Sequence, residues 1–346
     1  MTKMVVQQFL NLNVFQYIAQ AAAGAEHRAR LILEDIAELV FNKEWLSASE
    51  LFTSLTTSTE IKVIQTAEPG PFSQAISGLD MAMWDLMSRK AGLPLCRALN
   101  PNAPLSVPVY ASGIQIDDAS SMIPAARDAG FSAFKVKVGF DSKIDAEKLC
   151  ALKQDLHPTE RLMADANQGW TVDEATNFLK AIIDIDLTWL EEPIRADAAK
   201  DAWQQLAMNY NTPLAGGENL LGDAAFTRAI DDGYLGVIQP DAAKWGGITG
   251  CFDIGSRVRD AGRLYCPHFL GAGVGLLASG HILAAVGGDG MLEIDANPNP
   301  LRSDMCPGWP HVNSGMVSLP DAPGLGIAPA LDNFEQYCVY EETKRV

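Results

Sequence analysis

The chain has 346 residues, 43 Asp+Glu against 26 Lys+Arg, and a formal net charge of −17. With 48% hydrophobic residues it is too apolar for a disordered chain, and it lacks a fibrous repeat. Its negative charge repels phosphate backbones and anionic lipid, which sets aside nucleic acid and membrane as partners. The length suits either two ordinary domains or one large α/β barrel with an appendage.

In chain order, residues 9–23 are apolar in parts and end in Ala-Ala-Ala. Asn11, Asn13, Gln16 and Gln20 interrupt them and only Lys3 precedes them, which argues against a signal peptide. No apolar run reaches the ~18 residues of a membrane span. Residues 26–42 and 73–91 carry helical apolar spacing, the second ended by Gly92 and Pro94. From residue 105 the texture changes. Strand-like runs occur at 105–111, 132–139, 161–167, 187–193, 213–219, 236–242, 263–269 and 291–296. Helical segments separate most of them, at 120–130, 144–156, 172–185, 198–210, 221–233 and 250–262. Such alternation means parallel strands with right-handed crossovers, and eight strands favour closure into a barrel. The last strand has no obvious helix after it, since Pro298, Pro300, Pro307 and Pro310 follow. The fold class is therefore α/β, a TIM-like (β/α)7β barrel over 105–297. A partly helical N-terminal domain (1–104) precedes it, and a Pro- and Gly-rich segment (298–346) is expected to return against that domain. The six cysteines lie far apart without a C-x-x-C pair, which suits a reduced, cytoplasmic protein.

The chemistry recurs at the strand ends. Lys137, Asp165, Glu191, Glu218, Asp241, His268 and Glu293 follow one another at steps of 23 to 28 residues. One βα unit takes about that length, given roughly 250 residues for eight, so each unit delivers one ionisable group to the rim where barrel active sites lie. Asp165, Glu191 and Glu218 come from three successive strands about 4.8 Å apart. Converging carboxylates repel one another unless a cation neutralises them, and an all-oxygen set selects a hard cation, Mg²⁺. A ring of carboxylates bridged by Lys or Arg is the alternative. Lys135 and Lys137 share one strand face; if it is the interior, like charge and desolvation push a lysine pKa down toward the range of a useful base. Asp241 and His268 end adjacent strands, where the carboxylate can fix the imidazole tautomer. Glu293, if protonated, is suited to donate to a substrate carboxylate. Gly271-Ala272-Gly273-Val274-Gly275 resembles a dinucleotide-binding turn, but the third glycine required falls at Leu276. The loop is expected instead to be glycine-rich because it passes close to substrate.

Two bases around a carboxylate-bound Mg²⁺ suit abstraction of a proton alpha to a carboxylate, the chemistry of the enolase superfamily. The sequence resembles the mandelate racemase/muconate-lactonizing enzyme family of that superfamily, and within it the mandelate racemase subgroup. The resemblance is carried by Lys135-Val136-Lys137, Asp165-Ala166-Asn167-Gln168, Glu191-Glu192-Pro193, Gly217-Glu218-Asn219, Pro240-Asp241 through Lys244-Trp245-Gly246-Gly247, Pro267-His268, Glu293, and Ala82-Met83-Trp84-Asp85-Leu86. It covers roughly residues 70–330. It implies Asp165, Glu191 and Glu218 as ligands of one Mg²⁺ per subunit, Lys137 as one acid/base and the Asp241–His268 dyad as the other. It also implies Lys135 assisting Lys137, substrate contacts from Asn167, Lys135 and Glu293, a small-molecule carboxylate as substrate, and a homo-oligomer. In the family the two chain ends form an α+β capping domain. The opening strands of that cap are not recognisable before residue 26, so it looks shortened at its N-terminus.

The leading expectation is a sugar acid dehydratase acting on an aldonate or aldarate. The alternatives are a racemase or epimerase of a 2-hydroxy acid or amino-acid derivative by 1,1-proton transfer, and a catalytically impaired metal-binding barrel.

Overall fold

The computed structural model describes residues 25–327 apart from 42, 305, 309 and 310. The stretch at 9–23 and the expected start of the cap lie outside the described residues. Helices come first. α1 (Ala25–Leu31) runs through a π-helical turn at Ile32–Ile36 into α2 (Ala37–Val40), followed by α3 (Ala48–Thr66), α4 (Pro69–Ala91) and α5 (Leu95–Leu99). α4 starts on Pro69, where a missing N–H costs nothing, and stops at Gly92 in the left-handed region (φ +69°). α3 was outside the sequence expectation because its Thr-rich run is a poor helix former. Ser47 Oγ caps it by accepting the Glu50 N–H at 3.1 Å, and Leu51, Leu55 and Thr59 form a buried i, i+4 stripe.

The barrel follows as β1 (Ser106–Gln115), α6 (Ala119–Asp128), β2 (Ala133–Lys137), α7 (Ser142–Gln154), β3 (Arg161–Asp165), α8 (Val172–Ala181), β4 (Leu190–Glu191), α9 (Lys200–Asn209), β5 (Leu214–Gly216), α10 (Asp223–Asp232), β6 (Val237–Ile238), α11 (Gly247–Asp260), β7 (Leu264–Tyr265), α12 (Gly273–Val286) and β8 (Leu292–Asp295). Strands β1 to β7 pair in parallel in chain order, and β8 pairs in parallel with β1. β7 and β8 meet by close approach. The Met291 N–H reaches Cys266 Sγ at 3.4 Å, and a Cβ on Gly290 would stand 1.9 Å from the Tyr265 carbonyl oxygen.

The interior is layered. One buried side chain from each strand or the residue flanking it fills the floor: Tyr110, Ala133, Met163, Trp189, Ala215, Val237, Cys266 and Met291. Two residues further along, on the same face, come Ser112, Lys135, Asp165, Glu191, Gln239, His268 and Glu293. β5 alone departs, turning at Gly217 (φ +137°) to bring Glu218 to the rim. The intervening residues Phe134, Val136, Leu162, Ala164, Leu190 and Ile238 belong to the apolar shell beneath the helices. The sequence thus alternates between shell and interior, and the interior itself changes from apolar floor to polar rim.

After β8 comes a single helical turn, α13 (Pro300–Ser303), then β9 (Val312–Asn313) and β10 (Met316–Ser318). Their hairpin turns on Ser314 and Gly315, both at positive φ (53° and 73°), and β10 runs antiparallel to the start of β1. Residues 320–327 lie against the N-terminal helices: Leu95 N–H donates to Gly324 O at 2.8 Å, and Leu325 N–H to Asp85 Oδ1 at 2.7 Å. The described cysteines Cys96, Cys150, Cys251, Cys266 and Cys306 are free thiols. Among the described residues no helix is long and apolar enough to cross a membrane.

Candidate active site

Lys137, Asp165 and Glu191 stand in one row, since Lys137 registers with Asp165 across β2–β3 and Asp165 with Glu191 across β3–β4. Lys137 Nζ donates to Asp165 Oδ2 at 2.5 Å and to Asn167 Oδ1 at 2.6 Å, and its side chain keeps 15% exposure. Lys135 is sealed, with Nζ 2.8 Å from both oxygens of Glu191 and 2.7 Å from Glu293 Oε1. On the other side of the rim, His268 Nδ1 lies 2.8 Å from Asp241 Oδ2 and Nε2 lies 2.5 Å from Glu218 Oε2. Asp241 Oδ1 meanwhile accepts the N–H groups of Ala243 (2.8 Å) and Lys244 (3.1 Å), so the dyad is anchored at its carboxylate.

Three expectations change. First, Lys135 is held up, not pushed down. Burial works to lower Lys135, but Glu191 and Glu293 outweigh it and hold the ammonium well above the usual lysine range. Second, the surroundings of Glu293 favour its charged form over the protonated one. Burial favours its neutral form, yet Lys135 and His268 hold it below the usual carboxylate range, and its Oε2 accepts the Phe269 N–H at 2.9 Å. Third, Gly273 makes room for protein: a Cβ there would lie 2.6 Å from Cys306 Sγ. At that position of the loop, packing against Cys306 is by itself enough to require glycine.

His268 is likewise raised. Its burial disfavours the imidazolium, but Glu218, Glu293 and Asp241 together reverse that. Glu191 is raised by burial and by the neighbouring Asp165 charge, with Lys135 opposing. Glu192 is pushed up to about 7 by burial and by Glu218, although Asn219 Nδ2 donates to both its oxygens at 3.0 and 2.9 Å.

Among the described residues no three His, Cys, Asp or Glu side chains are gathered at metal-binding spacing. Asp165 and Glu191 are bridged by lysines and Glu218 has turned to His268, so the side chains take the bridged arrangement weighed as an alternative. The donor set nevertheless fits a hard cation. Among the described residues, Asp165, Glu191, Glu218 and Glu293 pair with the lysines Lys135, Lys137 and Lys244, with Glu192 and Asp241 adding two more carboxylates. Burial is the first cause of the rise at Glu191 and the Asp165 charge the second, a repulsion that a dication at Asp165, Glu191 and Glu218 would relieve.

Two contributors lay outside the sequence reading. Gln239, fully buried, donates to Glu191 Oε2 at 2.7 Å, and Trp189 Nε1 donates to the same oxygen at 3.2 Å. Both obey the i, i+2 interior phase, and only their lack of charge hid them. Backbone strain also clusters here: Asn167, Gln168 and Glu192 have φ of 44°, 64° and 39°.

Residues 119–333 match the enolase C-terminal domain-like family. The chain belongs to the enolase superfamily through that domain. It is similar to a mandelate racemase/muconate lactonizing enzyme from Bordetella bronchiseptica RB50, with 44% identity, 92% of this chain and 88% of that one covered, and a TM-score of 0.88. It is 31% identical to the D-galactarolactone cycloisomerase of Agrobacterium fabrum over 73% of this chain and 71% of the relative. An L-talarate dehydratase from Polaromonas sp. JS666, complexed with Mg and L-glucarate, shares 27% identity over 89% of this chain and 84% of that one, with a TM-score of 0.77.

Proposed function

We propose that this chain is a Mg²⁺-dependent lyase that removes the proton alpha to a carboxylate and eliminates water from a sugar acid, an aldonate or aldarate. The observation that carries the reading is the Asp241–His268 contact of 2.8 Å, at the same polar rim to which β2 brings Lys137 beside Asp165. The relative with bound Mg and L-glucarate supports both the metal and the substrate class. Asp165, Glu191 and Glu218 would hold the ion, one per subunit, which supplies positive charge beside the substrate carboxylate when bound.

Lys137, the less buried of the two lysines, takes the alpha proton. His268, with its ring fixed through Nδ1 by Asp241 and with Nε2 on Glu218, returns a proton from Nε2 to the departing beta hydroxyl once Glu218 is engaged as a metal ligand. The carbon–oxygen bond breaks as water leaves, and the enol relaxes to a 2-keto acid. Lys135 neutralises Glu191 and Glu293 and keeps both oriented, while the Asn167 amide contacts substrate. The resemblance to the mandelate racemase/muconate lactonizing enzyme favours a second reading, 1,1-proton transfer between the same two groups on a substrate without a beta leaving group. Assembly as a homo-oligomer belongs to the same proposal.

The test is 2-keto acid formation from a panel of aldonates and aldarates with Mg²⁺. Lys137→Ala and His268→Asn should each reduce turnover by roughly 10²–10⁴-fold with Mg²⁺ binding intact. Full activity in either variant removes that residue from its role.

A further inference from the structure

The helix that precedes the barrel reaches directly into the mount of the dyad. α11 begins immediately after the loop that carries Asp241, and its first N–H groups have no partners within the helix. Residues of α4 supply them. Asp80 Oδ2 accepts the N–H groups of Ile248 at 2.7 Å and Thr249 at 2.9 Å, and Oδ1 accepts the Thr249 hydroxyl at 2.6 Å. Ser77 Oγ accepts the Gly247 N–H at 3.2 Å, and Trp84 Nε1 donates to Thr249 Oγ1 at 2.9 Å. Asp80 is fully buried. A carboxylate at this position also meets the positive end of the α11 dipole.

The approach is built into the sequence. A Cβ on Gly247 would stand 2.4 Å from Asp80 Oδ2, and Gly247 itself has φ +54°. Only glycine lets the carboxylate come this close at this backbone conformation. The loop between β6 and α11 is therefore pinned at both ends: Asp241 takes the N–H groups of Ala243 and Lys244, and Asp80 takes those at the helix start.

We infer that Asp80 is a positioning residue for the Asp241–His268 dyad, holding the strand-6 loop from the N-terminal helical domain so that Asp241 meets His268. It touches neither substrate nor metal ligands and acts through α11. The inference rests on the dyad's place in the proposed site. The test reads the imidazole without substrate, so a failure of the reaction proposal and a failure here are distinguishable.

The experiment is nitrogen NMR of the histidine rings in the full chain, labelled with ¹⁵N-histidine, well below the melting temperature of each variant. His268 signals are identified by their loss in His268→Asn, and Asp241→Asn supplies the signature of a broken dyad. Asp80→Ala should move the His268 Nδ1 resonance toward the Asp241→Asn position, and Asp80→Asn, which keeps the shape and one acceptor, should restore part of the shift. Ser77→Ala removes one bond of the mount and Thr249→Val two, and they decide the matter if Asp80→Ala does not fold; Thr249→Val should shift His268 the same way by less. A folded Asp80→Ala, or folded Thr249→Val and Ser77→Ala, with lower melting temperature and unmoved His268 signals would overturn the inference.

Discussion

Lys135 and Glu191 form a two-pronged ion pair at 2.8 Å to each carboxylate oxygen, both side chains at most 1% exposed, on the floor-facing side of the polar layer. Two residues along the same strand, Lys137 stands nearer the solvent on Asp165 and Asn167. Their substitutions should therefore separate. Lys135→Met leaves Glu191 and Glu293 buried without their cation and should cost about 3–5 kcal/mol of stability. Lys137→Ala should cost less, because Asp165 keeps Lys135 at 3.7 Å. Urea unfolding of the two variants checks the contrast, and equal losses would contradict it.

The closure between β7 and β8 rests on Gly290. Gly290→Ala would put a Cβ 1.9 Å from the Tyr265 carbonyl oxygen, in backbone that has nowhere to move. We expect a loss of about 3 kcal/mol or more, or no folded protein. A variant with wild-type stability would mean that the barrel closes elsewhere.

His281 provides a pH prediction. It is buried in α12, with Nδ1 accepting the Cys96 N–H at 3.2 Å, and burial lowers its pKa to about 4. The unfolded chain takes up the proton first, near 6.5, so this stability is complete above that pH and is lost as pH falls toward 4. The shift corresponds to about 3 kcal/mol. Asp80 works in the opposite direction, because burial raises its carboxyl to about 7 and its contribution declines as pH rises from 4 to 7. The comparison with His281→Gln isolates the histidine. Wild type should lose more stability than the variant between pH 7 and pH 5, and parallel curves would remove His281 as the cause.

Much of this was legible because a parallel barrel writes its geometry into sequence twice. Shell and interior alternate along each strand, and the interior passes from Met163 to Asp165, from Trp189 to Glu191, from Cys266 to His268. That phase reveals which side chains arrive at one rim. It does not reveal which cation each carboxylate meets, because Lys135 finds Glu191 and Glu293 across the barrel, through closure and not through neighbouring sequence. Gln239 was hidden by neutrality. α3 was hidden for a different reason: its Thr-rich run is made helical by the Ser47 cap and by packing, which no local propensity records. The π-helical turn at Ile32–Ile36 likewise has no sequence signature.

Metal dependence has its own test. Mg²⁺ should raise the unfolding free energy of the wild type, by about 2.7 kcal/mol at a hundredfold excess over Kd. Asp165→Asn, Glu191→Gln and Glu218→Gln should each remove the increment. Variants that keep it would relocate the ion.

The central claim is that Lys137 and His268 act on one substrate, one removing a proton from carbon and the other returning a proton to oxygen. The most direct measurement follows the wild type with Mg²⁺ and a panel of aldonates and aldarates in D₂O by proton NMR and mass spectrometry. We predict a 2-keto acid one water lighter than its parent from at least one acid. Deuterium exchange at the alpha carbon with scrambled stereochemistry and no loss of water would contradict dehydration in favour of 1,1-proton transfer. Neither exchange nor product across the panel, with Mg²⁺ bound, would contradict both.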